Sequence, residues 1–135
     1  MTPHNELMMP MDWGDMDLFG HINNVAIMRY VQTARVNFWD NNGIPSMPGI
    51  NPGPVLASAN FRFLHSLVYP GNIIIHTRLT GMGTTSFTLS HRIMDQQGRC
   101  SVEAEDVIVM LDYTIRQKAP IPDHTRSHFQ QLLDQ

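Results

Sequence analysis

Cysteine is nearly absent from this chain. Cys100 stands alone in 135 residues, which excludes an internal disulfide and any cysteine-based zinc site. Charge is scarce as well: 16% of residues are charged, and nine Lys and Arg face twelve Asp and Glu for a net charge of −3. With no basic excess to neutralise a phosphate backbone, nucleic acid is not an expected partner. No run of about 18 apolar residues is present to cross a bilayer. The start, MTPHNELMMP, has neither the basic n-region nor the apolar core of a signal peptide, so the expected location is the cytoplasm. Several catalytic motifs are missing too. There is no G-x-S-x-G elbow, no P-loop and no G-x-G-x-x-G, and Gly81-Met82-Gly83 follows no Rossmann pattern. What is present is a 42% hydrophobic composition, enough for one real core over a single domain, residues 1–135. It leaves disorder, collagen-like sequence and coiled coil as poor readings.

Periodicity supplies the elements. Leu7, Met9 and Met11 alternate, and Pro10 limits them to an edge strand. DWGDMDLFGHINN reads as a polar loop. After an N-cap at Asn23 or Asn24, residues Ile27, Tyr30, Val31, Ala34 and Phe38 fall on one helical face. Val25, Ala26, Met28, Val36 and Trp39 add apolar surface elsewhere, so the helix is expected to be covered on most sides. Its end is set near Asn42 by Gly43, suited to a left-handed C′ position, and by Pro45. About 18 residues make a rod of roughly 27 Å. A Pro/Gly loop over 44–54 leads to four strands. The first alternates through Val55, Ala57, Ala59, Phe61 and Phe63, and the second carries Ile73, Ile75 and Leu79 before Gly81-Met82-Gly83 breaks it. Phe87, Leu89 and Ile93 mark the third, and Asp95-Gln96-Gln97-Gly98 a hairpin loop. The last begins with Val102 and Ala104, then changes phase to Val107, Val109, Leu111 and Tyr113, which predicts a β-bulge near Asp106. A short peripheral helix with Phe129, Leu132 and Leu133 closes the chain. The fold class is α+β: a curved antiparallel sheet, β-α-β-β-β-β, wrapped round one long helix, with an outer face free for oligomerisation.

The chemistry concentrates before the long helix, where Asp12, Asp15, Asp17, His21, Asn23 and Asn24 sit beside Trp13 and Phe19. A helix N-terminus offers free N–H groups and partial positive charge, which suits an oxyanion, and a carboxylate beside it can serve as nucleophile or general base. The same residues are ordinary capping and turn formers. A calcium loop fits poorly, since the glycine and glutamate of an EF-hand are not in place. His65, His76 and His91 fall on different strands, and His124 and His128 lack the glutamate of H-E-x-x-H, so the histidines form no ligand set. Ten methionines are read as filling core and pocket space.

The segment WGDMDLFGHINNVAIMRYVQTAR resembles the hotdog-fold acyl-CoA thioesterases of the 4-hydroxybenzoyl-CoA thioesterase type. Trp13, Gly14, Asp15, Asp17, Gly20, His21, Asn23, Asn24, Tyr30, Ala34 and Arg35 carry the likeness, and GMGTTSFTLSHRIMD and APIPDHTR extend it. The resemblance implies a sheet wrapped round the helix, two protomers joined edge to edge, and sites at their interface in a homodimer or homotetramer. It implies Asp17 as the catalytic carboxylate, the backbone N–H of Asn24 or Val25 as oxyanion donor, and His21, Asn23 or Asn24 as orienting groups. Ile27 stands where relatives often carry Tyr, and Gln32 where they often carry a helix Glu, which concentrates the catalytic role on Asp17. Thr84, Thr85 and Ser86 replace a turn that is basic in some relatives, so the donor is either coenzyme A or an acyl carrier protein. Arg62, Arg78 and Arg92 are candidate phosphate partners, and Ser58 and Asn60 a candidate facing wall from the second chain.

The expected activity is therefore hydrolysis of an acyl thioester, with no metal and no cofactor beyond the coenzyme A of the substrate. The alternatives are a hydratase or dehydratase of the same fold, which pairs an acid with a histidine at a different spacing from Asp17 and His21, and a non-catalytic acyl-binding module.

Overall fold

The structure, a computed structural model, describes residues 2–44 and 46–135. Pro45, expected to help stop the long helix, lies outside the described residues. The elements run β1 (Asn5–Pro10), a 3-10 turn (Trp13–Asp15), α1 (Asn24–Asn41), β2 (Gly53–Phe63), β3 (Asn72–Met82), β4 (Ser86–Met94), β5 (Cys100–Asp112), β6 (Gln117–Lys118) and α2 (Asp123–Leu133). All pairings are antiparallel, in the order β1-β3-β4-β5-β2, with β6 also paired to β5. Among the described residues no helix is long and apolar enough to cross a membrane.

α1 begins where its sequence allows. The Asn23 side chain accepts from the Val25 N–H at 2.8 Å, as an N-cap should. At the other end Gly43 has φ 88°, the left-handed conformation that glycine tolerates at C′. Ala26, Ile27, Tyr30, Val31, Ala34, Arg35 and Phe38 are buried on one face. The expectation of cover on most sides fails at the start of the helix, where Val25 and Met28 remain exposed, because the sheet of one protomer wraps only one side.

Two apolar clusters divide the core. The first half of α1 packs on Ile73, Ile75, Ile93, Val102 and Ala104. Phe38, near its end, packs with Leu79, Phe87, Leu89, Ile108, Met110, Ile121 and Phe129. α2 is therefore not peripheral. Phe129 is wholly buried, with its ring edge-on to Phe87 at 4.9 Å.

The phase change expected along β5 does not occur. Val102, Ala104, Asp106, Ile108 and Met110 all face inward in one unbroken alternation. Asp106 occupies an inward position because it is fully paired: Arg35 Nε and Nη2 donate to its two oxygens at 2.8 and 3.0 Å, and His91 Nε2 lies 2.6 Å from Oδ2. His91 Nδ1 in turn lies 2.8 Å from the Thr77 hydroxyl. The four groups, from α1, β5, β4 and β3, are buried. A charged residue in an apolar alternation mimics a slip of register. The register shifts lie elsewhere: between Leu56 and Ser58 on β2, between Leu79 and Gly81 on β3, and between Ile93 and Met94 on β4, where β5 passes over Ser101. Gly81 thus sits within β3 and does not break it.

Candidate active site

The loop between β1 and α1 is built from its aspartates. Asp12 Oδ1 accepts from the Gly14 N–H at 2.7 Å and caps the 3-10 turn. Asp15 accepts from the Tyr30 hydroxyl at 2.8 Å and also pairs with the Arg29 guanidinium, so it fastens the loop to α1. Burial and the hydrogen bond to Asp15 push the Tyr30 hydroxyl up to about 12, keeping it a donor at any physiological pH. The Asp15 carbonyl accepts from the Asn23 N–H at 2.9 Å, which fixes the residue that caps the helix.

Asp17 lies in the tight turn that follows. Its Oδ1 accepts from the N–H groups of Phe19 and His21, at 2.9 and 3.2 Å. Its own backbone N–H donates to the His21 carbonyl at 2.7 Å, and Gly20 closes the turn with φ 83°. Among the described residues Asp17 Oδ2 accepts no hydrogen bond. One carboxylate oxygen is thus held by the turn and the other is not.

The two helix-start donors differ. The Val25 N–H is taken by the Asn23 cap. The Asn24 N–H has no acceptor among the described residues. Asp17, His21 and Asn24 line one cleft of about 300 Å³, closed on its far side by Phe63, Leu64, His65, Ser66 and Leu67. That far wall is positioned by the backbone: Ile22 N–H donates to the Leu67 carbonyl at 2.8 Å, and Leu64 and His65 both donate to Ser101. Sequence periodicity places His65 on a strand and says nothing of this cleft. The available signal is its position just past the end of an alternating run, where the chain must cross the helix start.

Other expected site residues are not gathered here. Ser58 pairs with Val107 and Asn60 with Glu105, so both stand on the outer face of the sheet, away from α1. The bulge at Ala57 leaves Val55, paired with Val109, on that outer face too. Asn60 lines an outer cavity with Arg62, Ser90, Arg92, Glu103 and Glu105. Ala59, Phe61 and Phe63 occupy the helix side of β2 instead. Arg62 pairs with Glu103 at 3.7 Å and Arg78 donates to the Thr2 carbonyl, and none of Arg62, Arg78 and Arg92 lines the Asp17 cleft of its own protomer. Thr84, Thr85 and Ser86 lie at the opposite end of α1 within one protomer. There Arg126 donates to the Thr84 carbonyl at 3.0 Å and Ile121 N–H to the same atom.

An exposed apolar collar surrounds the cleft. Leu18 is 94% exposed, Phe19 81%, Trp13 70% and Val25 67%. Next to it runs β2, an edge strand with its backbone unpaired on one side and exposed from Val55 through Asn60.

Comparisons with known proteins bear on this geometry. A family model described as the thioesterase-like superfamily matches residues 11–129. The chain is 28% identical over 118 residues to the chloroplastic acyl-acyl carrier protein thioesterase ATL2 of Arabidopsis thaliana, covering 85% of this chain and 62% of that protein. It therefore spans less than two thirds of that relative's length. The PA2801 protein of Pseudomonas aeruginosa, described as a candidate thioesterase, superposes with TM-score 0.86 at 27% identity, over 93% of this chain and 98% of that one. A thioesterase from Thermus thermophilus, solved with coenzyme A and zinc, superposes with TM-score 0.84 at 20% identity, over 98% and 96% of the two chains. The arrangement of one sheet wrapped round a long helix is the hotdog fold.

Proposed function

Because the chain belongs to the thioesterase-like superfamily, we propose that it hydrolyses an acyl thioester in the cleft beside the start of α1. One observation carries the reading. Asp17, whose Oδ2 accepts no hydrogen bond among the described residues, and Asn24, whose N–H has no acceptor among them, line the same cleft. The thioester carbonyl oxygen accepts from the Asn24 N–H, where the helix dipole adds to the pull on developing negative charge. Asp17 Oδ2 either removes a proton from the attacking water or attacks the carbonyl carbon itself. In both routes the carbon–sulfur bond breaks and the thiolate leaves and is protonated from solvent; the general-base route gives the carboxylic acid directly, whereas the nucleophilic route gives an acyl–Asp17 anhydride, which water opens at the Asp17 carboxyl carbon to release the acid and regenerate the aspartate. A single turnover in isotopically labelled water separates them, because only the nucleophilic route carries label into Asp17.

The hydratase alternative needs a histidine ring working with the acid. Here His21 meets Asp17 through its backbone N–H. The acyl-binding alternative predicts ligand affinity that survives loss of Asp17. A panel of acyl-CoA and acyl-carrier thioesters with a thiol reagent tests all three, since thiol release distinguishes hydrolysis from a change in enoyl absorbance and from binding alone. The named relatives leave both carriers in play: one acts on acyl carrier protein, and another was solved with coenzyme A.

Asp17→Asn should lower turnover at least about 100-fold, the scale of a lost general base. The amide oxygen of the variant side chain can still accept from the Phe19 and His21 N–H groups, so the fold should hold, and near-normal turnover in a folded variant would end the assignment. Prolonged treatment with a strong chelator should leave the rate unchanged. Asp12, Asp15 and Asp17 are engaged in separate hydrogen bonds, and a loss restored by a divalent ion would overturn this view.

The working unit is proposed to hold at least two chains. Antiparallel pairing of β2 with its two-fold copy removes the free edge and covers Phe19, Val25 and Phe63, which are otherwise wet.

A further inference from the structure

Residues 2–4 and the end of α2 meet on β3, at Arg78 and Leu79. Arg78 binds both segments through backbone oxygens: its guanidinium donates to the Thr2 carbonyl and, at 3.5 Å, to the Gln135 carbonyl. His4 stands between the two. Its backbone N–H donates to the Thr77 carbonyl at 2.8 Å, and its ring Nδ1 accepts from the Leu79 N–H at 2.9 Å. The second of these bonds departs from the ladder. β1 pairs with β3 only as far as Asn5 opposite Thr77, so Leu79, two residues on, has no β1 residue opposite it. Leu79 is buried, and its N–H would be costly to leave without an acceptor. An imidazole nitrogen supplies one.

Such a nitrogen accepts only while it carries no proton. The ring's one proton therefore sits on Nε2, which is buried and has no hydrogen-bond partner among the described residues. The Leu132 backbone of α2 adjoins the same ring, so one imidazole is packed between β3 and α2. Arg78 is the charged group whose field reaches it. Glu6 of β1 is paired with His76 at 3.5 Å, and on α2 Asp134 accepts from Gln130 while His128 meets Asn42. Burial first, and then the Arg78 charge, hold the His4 ring below its ordinary value of 6.5, against a smaller upward pull from the Leu132 backbone.

We propose that His4 is a proton-operated clasp, which holds residues 2–4 and the end of α2 to β3 while it is neutral and lets both go when Nδ1 takes a proton from solvent. The protonated ring sets N–H against N–H at Leu79 and places a second cation beside Arg78. β1 itself stays in place, since Leu7 and Met9 pack on the first apolar cluster. What loosens is the cover of the second cluster, where Phe129 and Leu132 lie with Leu79 and Phe87. A lowered folded value means that the clasp is fully closed above the unfolded value of 6.5 and is lost as the pH falls through the folded one.

Nuclear magnetic resonance on the full chain is the test. At neutral pH the ring nitrogens of His4 should show a bare Nδ1 and a protonated Nε2. Hydrogen exchange of the Leu79 amide, corrected for its intrinsic pH dependence, should speed up at least about fivefold between about pH 7.5 and about pH 5, the worth of one lost hydrogen bond. The amides of Phe129 and Leu132 should follow it, while those of Ile75 and Ile93 should not. His4→Asn puts an oxygen where Nδ1 stands and carries no titrating group, so exchange at Leu79, Phe129 and Leu132 should be slow and independent of pH in that variant. A proton on Nδ1 at neutral pH would overturn the proposal. So would exchange at these three amides that is the same at both pH values in wild type, or that speeds up equally in His4→Asn. If His4→Asn does not fold, the ring tautomer and the wild-type exchange still decide.

Discussion

Asp15 and Asp17 differ by two positions and by everything that surrounds them. Asp15 has both oxygens committed to α1, to Tyr30 and Arg29, whereas Asp17 has one oxygen free. Asp15→Asn should therefore cost mainly stability, and turnover should fall far less than in Asp17→Asn; steady-state kinetics on the two variants compares them directly. A third aspartate is wholly structural. Burial alone would raise Asp106, but hydrogen bonds from His91 and Arg35 and their charges hold its carboxyl below the usual carboxylate range. A depressed folded value gives stability that is fully present above the unfolded value of about 4 and is lost as the pH falls through the folded one. Asp106→Asn leaves Arg35 as an uncompensated buried charge and should cost about 3–5 kcal/mol in urea unfolding. It should also remove part of the acid dependence below about pH 4. Equal stability of variant and wild type at neutral pH would contradict this account.

Among the elements, α1 matters most for function because its first turn is the proposed oxyanion site. Asn23→Ala removes the acceptor for the Val25 N–H and should cost about 1 kcal/mol in thermal unfolding. Asn23→Asp, which keeps an acceptor, should cost less. This helix is legible in the sequence almost to the residue, since a cap, a 3.6-residue apolar period and a C′ glycine all point to the same segment. β3 and β4 are legible from alternation, apart from the reach of β3 through Gly81. β5 misleads because alternation records apolarity and not direction. Asp106 points inward only because Arg35, 71 residues away, and His91 complete it. On β2 the alternation is right for Ala59, Phe61 and Phe63 and leaves Ser58 and Asn60 on the outer face, but it cannot see the bulge at Ala57 that puts Val55 on that outer face as well. Asp17, Asn24 and His21 come together because they are neighbours in the chain. His65 and the far wall of the cleft arrive through the sheet, and no local pattern announces them.

For the whole molecule, the edge strand β2 and the apolar collar are both exposed, and both are proposed to be covered by a second copy. Light scattering at assay concentration should give the mass of at least two chains, and full activity in a species of one chain would refute the shared site. The buried Arg35–Asp106 pair has a further consequence, in the order of events during folding. It joins α1 to β5 across most of the sequence, and its charges can leave water only once helix and sheet have docked. Contacts of such long range tend to form late. Asp106→Asn should therefore steepen the loss of kinetic persistence: the unfolding rate rises, while the folding rate hardly changes. In a chevron plot the variant's unfolding limb should stand well above that of wild type with the folding limbs nearly superposed, so that the pair acts as a latch on a structure already assembled and not as a guide to its assembly.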